Sequence, residues 1–332
     1  MNADGDVREL LGAYALDALD PDEVAAVEAL LARDPVAAAE AERLRSVAGM
    51  LALAEAVHPP SELREATLAS ARSRRAARPE SPQLELYGRE TTRAVAAIAT
   101  LDPADNELVT ANGLRVHDLV THLAAVESLI VESLDGVSGF DDAPADIDGR
   151  TAALLPLYAD RPVADAANEW QRLIGLIRLH AGDGSRLVAW RGGELSVGDL
   201  LIARSFEIWT HGDDVRRARS QPIEPPDAES IALMADLSVR WLPLGLELVG
   251  RARVGQSVRL GLTGPGGGEW TVPLGLDAGG AGKPAAEVRF SALDWCLVTA
   301  ERMHGAEVPF DVSGDVSVAT DLLVAAPAFS TL

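Results

Sequence analysis

Apolar residues along this chain recur mostly at helical spacing. Within the first 70 residues, Val7, Leu10, Leu11 and Tyr14 mark a short helix, and Val24, Val27, Leu30 and Leu31 mark a second. Leu44, Val47, Leu51 and Leu53 mark the later part of a third. The two longer helices carry start signals. Asp20-Pro21-Asp22-Glu23 supplies an N-cap, a proline at the first helical position and an acid three residues after the cap, and Asp34-Pro35 repeats the cap and the proline. From about 83 to 222 the same period predicts long helices near 83–101, 114–135, 162–181 and 196–220, with a Gly/Asp/Pro-rich connection around 136–150. Four helices of such length are what an antiparallel bundle needs. Asp102-Pro103 reads as a further helix start inside the first connection.

Beyond Pro225 the period is mixed. Ser230 to Leu248 reads as one more helix, while 257–262 and 270–274 alternate like strands around a turn at Gly264–Gly268. Val288-Arg-Phe290 is a third strand candidate, and 291–302 and 315–325 are helix candidates. These patterns predict a multi-domain, mainly α protein. Its parts are a small N-terminal helical domain over 1–70, a basic linker over 71–82, a four-helix bundle over 83–225 and a C-terminal α+β domain over 226–332. Arg72, Arg74, Arg75 and Arg78 in the linker read as a solvated helix end, with a docking site for an acidic partner as the other reading.

Length and charge narrow the function classes. A chain of 332 residues exceeds one ordinary core, in keeping with several domains. Its net charge of −22 argues against nucleic acid or an anionic membrane as the main partner, because both would repel it. Cys296, within DWCLV, is the only cysteine, so no intrachain disulfide or cysteine-based zinc finger is expected and core packing is its simplest role. The start, MNADGDVREL, lacks the basic and apolar regions of a signal peptide, and no run of about 18 apolar residues occurs. The expected location is the cytoplasm.

The chemistry concentrates in two segments. In SFEIWTHGDDVRR, Glu207 and His211 are four apart and leave one face of a helix. In VHDLVTHL, His122 offers a further ligand from a second helix, while Leu119, Leu123 and Val126 keep that helix on the core. Two histidines and a carboxylate leave a zinc-like ion at least one open coordination position. Asp118 and Asp214 lie one turn from His122 and His211, where each is placed to hold a second ring nitrogen as an outer partner. Spacing alone equally fits a surface ion pair or a satisfied, half-buried histidine. The other histidines read blandly: His117 at a helix start, His58 in a loop, His180 at a helix end, and His304 near the substrate side.

SFEIWTHGDDVRRA together with VHDLVTHLAAVES resembles the mycothiol-dependent maleylpyruvate isomerase family, whose bundle is of the DinB type. Its D-L-V-x-H-L and E-x-W-x-H-x-x-D-V/I elements fall on these two segments. The resemblance implies a divalent metal, zinc in the family's manner, held by His122, Glu207 and His211. It also implies mycothiol as a low-molecular-weight thiol cosubstrate, whose metal-favoured thiolate attacks a small-molecule substrate. It covers about residues 83–332, and GDVSVATDLL at 314–323 is similar to the family's usual ending. The family's substrate-side Gly-Arg matches TAERMHG, so Arg302 takes the catalytic arginine's place and Glu301 replaces the glycine.

Residues 14–44 resemble the N-terminal domain of actinobacterial anti-sigma factors. The H-x3-C-x2-C zinc ligands of that group become Leu30, Asp34 and Ala37, so this domain is expected to fold without metal. The resemblance implies binding to an extracytoplasmic-function sigma factor through residues 1–70. Two functions therefore stand side by side: a mycothiol- and metal-dependent isomerase or transferase, and a transcriptional regulator whose bundle senses a ligand, thiol or metal.

Overall fold

The computed structural model describes residues 3–54, 67, 80–140, 142–276 and 284–331. His58 and the arginines at 72, 74, 75 and 78 lie outside them. Compact units fall on either side of residue 79.

The described residues of the N-terminal unit hold α1 (Ala3–Arg8), α2 (Leu11–Ala15), α3 (Pro21–Leu31) and α4 (Pro35–Ala54), with no strand among them. Asp20 caps α3 in a reciprocal capping box with Glu23, as the sequence predicts. Leu11, Tyr14, Val27, Leu30, Ala37 and Ala41 form its core. Two of the three places matching zinc ligands, Leu30 and Ala37, are thus packing positions. The third, Asp34, accepts from the Val36 and Ala37 amides at the start of α4 and pairs with Arg8.

The larger unit begins with a bundle of α5 (Pro82–Ile98), α6 (Val116–Ser133), α7 (Ile147–Tyr158), α8 (Val163–His180) and α9 (Val197–Ala218). The four long helices stand where the apolar period predicts them. Helix α7 begins inside the segment read as a connection and runs beyond it; Asp146 caps it by accepting from the Gly149 amide. At Asp102-Pro103 only a 3-10 turn forms, Asp105–Glu107, with the Asp102 side chain accepting from the Ala104 and Asp105 amides. A two-stranded hairpin, β1 (Leu187–Trp190) and β2 (Gly193–Ser196), precedes α9. Its Arg191-Gly192 turn places both residues at positive φ, 48° and 83°, the signature of a two-residue hairpin loop.

The C-terminal α+β part contains α10 (Ala228–Leu248), β3 (Ser257–Thr263), β4 (Gly268–Pro273), β5 (Ala286–Ser291), α11 (Ala292–Thr299), β6 (Asp311–Gly314) and α12 (Val316–Ala325). Its sheet has the order β4-β3-β5-β6, with β3 and β5 parallel and the outer pairs antiparallel. Gly266 in the β3–β4 turn has φ +77°, and a Cβ there would fall 2.6 Å from the Ala228 carbonyl and from Ile231, so only glycine fits this approach to α10.

Helix α9 belongs to two cores. Val197, Leu200, Leu201 and Ile208 pack within the bundle, while Ile202, Phe206 and Trp209 pack with the core of the C-terminal part. Residues between these faces therefore lie at the seam of the two layers. Glu207 and His211 are among them. No helix among the described residues is long and apolar enough to cross a membrane.

Candidate metal centre

Ser196 caps α9 by accepting from the Asp199 amide, and the helix then runs unbroken through Glu207 and His211. Helix α6 brings His122 to them. The His122 Nε2 lies 3.3 Å from Glu207 Oε1, and the His211 Nε2 lies 3.6 Å from the same oxygen. The two rings stand edge to face with centroids 5.4 Å apart. One donor atom from each of the three residues falls within 4.8 Å of the others.

Divalent ions of the zinc type hold nitrogen and oxygen donors at about 2.0–2.2 Å, so neighbouring donors stand ~3.0–3.5 Å apart. The spacing here suits that requirement. Both imidazoles also have their other nitrogen engaged: His122 Nδ1 with Thr151 Oγ1 at 3.0 Å, and His211 Nδ1 with Asp214 Oδ2 at 3.2 Å. Such outer contacts fix ring orientation and leave Nε2 facing inward. By donor chemistry and spacing, the residues fit a divalent ion.

Charge organises the surroundings. Burial alone would raise the Glu207 carboxyl, but the Arg204 guanidinium and the two imidazoles outweigh it and hold the group well below its usual range. Burial would lower His211; hydrogen bonds to Asp214 and Glu207 reverse this and raise it. Asp214, fully buried, is likewise drawn below the usual carboxylate range against its burial by His211 and Arg302.

Asp214 is thus brought to His211 as the sequence predicts, whereas Asp118 is not brought to His122. Its carboxylate is held by Arg115, one turn earlier, at 2.8 and 2.9 Å, and lies 3.4 Å from His117 Nδ1. Thr151 on α7 is the partner of His122 instead. Arg302 follows α11 and reaches the centre indirectly. Its Nε and Nη2 donate to the two oxygens of Asp214 at 2.8 and 2.6 Å, and its Nη1 donates to the Ala300 carbonyl at 2.8 Å. His304 caps a short 3-10 turn and does not join the centre. Cys296 is fully buried, and burial pushes its thiol up, so it is a packing residue and a poor nucleophile.

A cavity of about 250 Å³ opens on Glu207 and His211, walled by residues of α9, by Trp190 and Arg191 of the hairpin, and by Thr299–Arg302 and Phe329 of the C-terminal part. Sequence reasoning missed the hairpin's share, Thr151, and the buried pair Arg204–Glu127. A signal for Arg204 existed: Leu200, Leu201 and Ile208, three or four residues away on the same helix, are all buried.

Comparison with known proteins finds similarity over the same stretch of chain. The profile of the mycothiol maleylpyruvate isomerase N-terminal domain matches residues 84–216, the stretch that supplies all three donors. Residues 84–216 are similar to that family's N-terminal domain. Two uncharacterized proteins of Mycobacterium tuberculosis, from strains CDC 1551 / Oshkosh and ATCC 25618 / H37Rv, are each 27% identical over 188 residues. That match takes in 55% of this chain and 65% of theirs, so under two thirds of each relative is spanned. Crystal structures of the mycothiol-dependent maleylpyruvate isomerase and of a substituted form of it align with a TM-score of 0.48 at 15% identity, covering 70% of this chain and 93% of theirs.

Proposed function

We propose that the larger unit is a metal- and mycothiol-dependent isomerase or transferase, with His122, Glu207 and His211 as the metal ligands. The observation that carries this reading is the convergence of both Nε2 atoms on one oxygen of Glu207, with both Nδ1 atoms held from outside. When bound, a divalent ion of the zinc type favours the thiolate of a coordinating thiol. The protein's own groups do the rest. Thr151 and Asp214 orient the two imidazoles, and Arg302 fixes Asp214 from the C-terminal part. Ile130, Leu200, Phe206 and Phe329 give the cavity an apolar wall that limits water around a reactive sulfur. The chain needs no nucleophilic cysteine of its own, in keeping with the buried Cys296.

The test is metal analysis of the purified chain beside turnover of maleylpyruvate with mycothiol. About one divalent ion per chain is expected, together with thiol-dependent turnover and loss of both in His122→Ala. Unchanged metal content in that variant would overturn the assignment. Bound metal without thiol-dependent turnover, and with an extracytoplasmic-function sigma factor co-purifying, would move the reading to the regulator.

A further inference from the structure

We propose that the buried Arg204 is a positioning residue that restricts Glu207 to one donor oxygen, and that Glu127 sets how strongly it does so. This rests on the metal reading above. Arg204 lies one turn before Glu207 on α9, with its side chain 1% exposed, and places Nη1 2.5 Å from Glu207 Oε2. This is a short, charge-assisted contact between the guanidinium and that oxygen. The other carboxylate oxygen, Oε1, is the one that both imidazoles approach. The two oxygens of Glu207 therefore have separate tasks.

Behind the arginine stands a second, fully buried carboxylate. Glu127 Oε1 accepts from Arg204 Nε at 3.0 Å and from the Tyr87 hydroxyl at 3.1 Å, and Oε2 accepts from Nη2 at 2.6 Å. Arg204 Nη2 also donates to the Leu123 carbonyl at 3.3 Å. A buried ion pair is weak evidence of a stabilising role, since apolar residues of similar volume often serve stability as well. What the pair does here is place a positive charge against Oε2. A carboxylate giving one oxygen takes one coordination position, while one giving both takes two. Arg204 thereby keeps a position open for the thiol or the substrate. Glu127, by neutralising part of the guanidinium charge, limits how much electron density Glu207 loses.

The two arms predict opposite effects on metal affinity, which a purely structural role does not. Cobalt(II) titration of the full-length, metal-free protein reads both affinity and coordination number, because visible absorption weakens as the coordination number rises. In Glu127→Gln, Arg204 pulls on Glu207 unopposed, and the cobalt dissociation constant rises on the order of tenfold. In Arg204→Met combined with Glu127→Gln, no unpaired buried charge remains and Oε2 is released. There the dissociation constant falls on the order of tenfold and the absorption weakens. Loosening in both variants, or wild-type affinity and spectrum in both, would overturn the proposal. Glu127→Gln is nearly isosteric and keeps the test decisive if the double variant fails to fold. Cobalt binding that survives His122→Ala would instead defeat the metal reading and this inference with it.

Discussion

The N-terminal unit and the bundle use helical spacing for opposite purposes. In the first, Leu30, Ala37 and Asp34, which the resemblance alone would set at zinc-ligand places, serve as core, core and cap. In the second, the inward positions of α6 and α9 hold Glu127, Arg204 and His211, all buried, with each charge answered by another. A helix that buries alanine and leucine gains stability from area alone. One that buries ions gains little of it, because desolvation offsets most of the attraction. Burying ions is worthwhile where their charges must be held in a fixed arrangement, and that is the condition of a metal centre. The comparison predicts that damage to the first unit appears as unfolding, and damage to the second as altered binding.

The largest expected effect tests the packing side. Leu30 is 2% exposed in a core of few residues, so Leu30→Ala should cost about 2–5 kcal/mol, enough to unfold a unit this small. Hydrogen exchange of the full chain should show residues 3–54 losing protection while metal content stays unchanged. Protection retained at the wild-type level would mean the core is not what holds that unit.

Next in size is a carboxylate that breaks the bundle's pattern of answered charges. Glu90 on α5 is 2% exposed, and its nearest cation, Arg93 Nη1, stands 3.4 Å away while Nη2 of the same arginine serves the Glu224 and Pro225 carbonyls. Burial pushes Glu90 up to about 7, only partly opposed by Arg93. Because the folded value is raised above the unfolded one, its contribution is fully present below about pH 4.5 and is lost as pH rises through about 7. Glu90→Gln should therefore be more stable than wild type by about 2–3 kcal/mol at pH 8.5, and equal to it near pH 4. Denaturant unfolding at the two pH values checks this, and an equal difference at both would refute the buried-charge explanation.

The centre itself supplies the third. Asp214→Asn keeps the shape beside His211 but removes the charge, and it leaves Arg302 without its carboxylate. Metal affinity should fall about tenfold with the fold intact. An unchanged affinity would reduce Asp214 to a link between the bundle and the C-terminal part.

How much of this was legible beforehand follows the same division. Helices marked by an apolar stripe and a cap, such as α3 and α9, are readable because burial and capping are local signals. Glu207 and His211 share a face by spacing alone; His122 could only be offered from a second helix 85 residues away, and the resemblance joined the three as one set. Helix α7 was hidden because Pro144 and Gly149 fall in a stretch read as a connection, yet tertiary packing of Arg150 and Leu154 holds it. The hairpin was hidden by its four-residue strands, although Arg191-Gly192 is a usable turn signal. Asp118 was assigned to the wrong partner because Arg115, on the same face one turn earlier, competes for it and wins as a full charge. Arg204 had a local signal in its apolar neighbours, but its pairing with Glu127 was illegible for a deeper reason: charged residues are ordinarily placed at the surface, and only a partner 77 residues away makes the exception tolerable.

The smallest effect returns to the N-terminal unit and to Asp34, the one polar residue of the three that the resemblance alone would set at zinc-ligand places. Its carboxylate accepts from the Val36 and Ala37 amides, and these bonds, with Arg8 nearby, hold it below the usual range against a slight opposing effect of burial. A depressed folded value means that its contribution is present above about pH 4 and is lost as pH falls through the folded value. At pH 7, Asp34→Ala should lower the protection of α4 amides modestly, and Asp34→Asn less, because the amide oxygen still caps. Below pH 3 the wild type and the alanine variant should converge. If added zinc protected the wild-type unit but not the Asp34 variants, this residue would be a ligand rather than a cap, and the contrast between the two units would fail at its most exposed point.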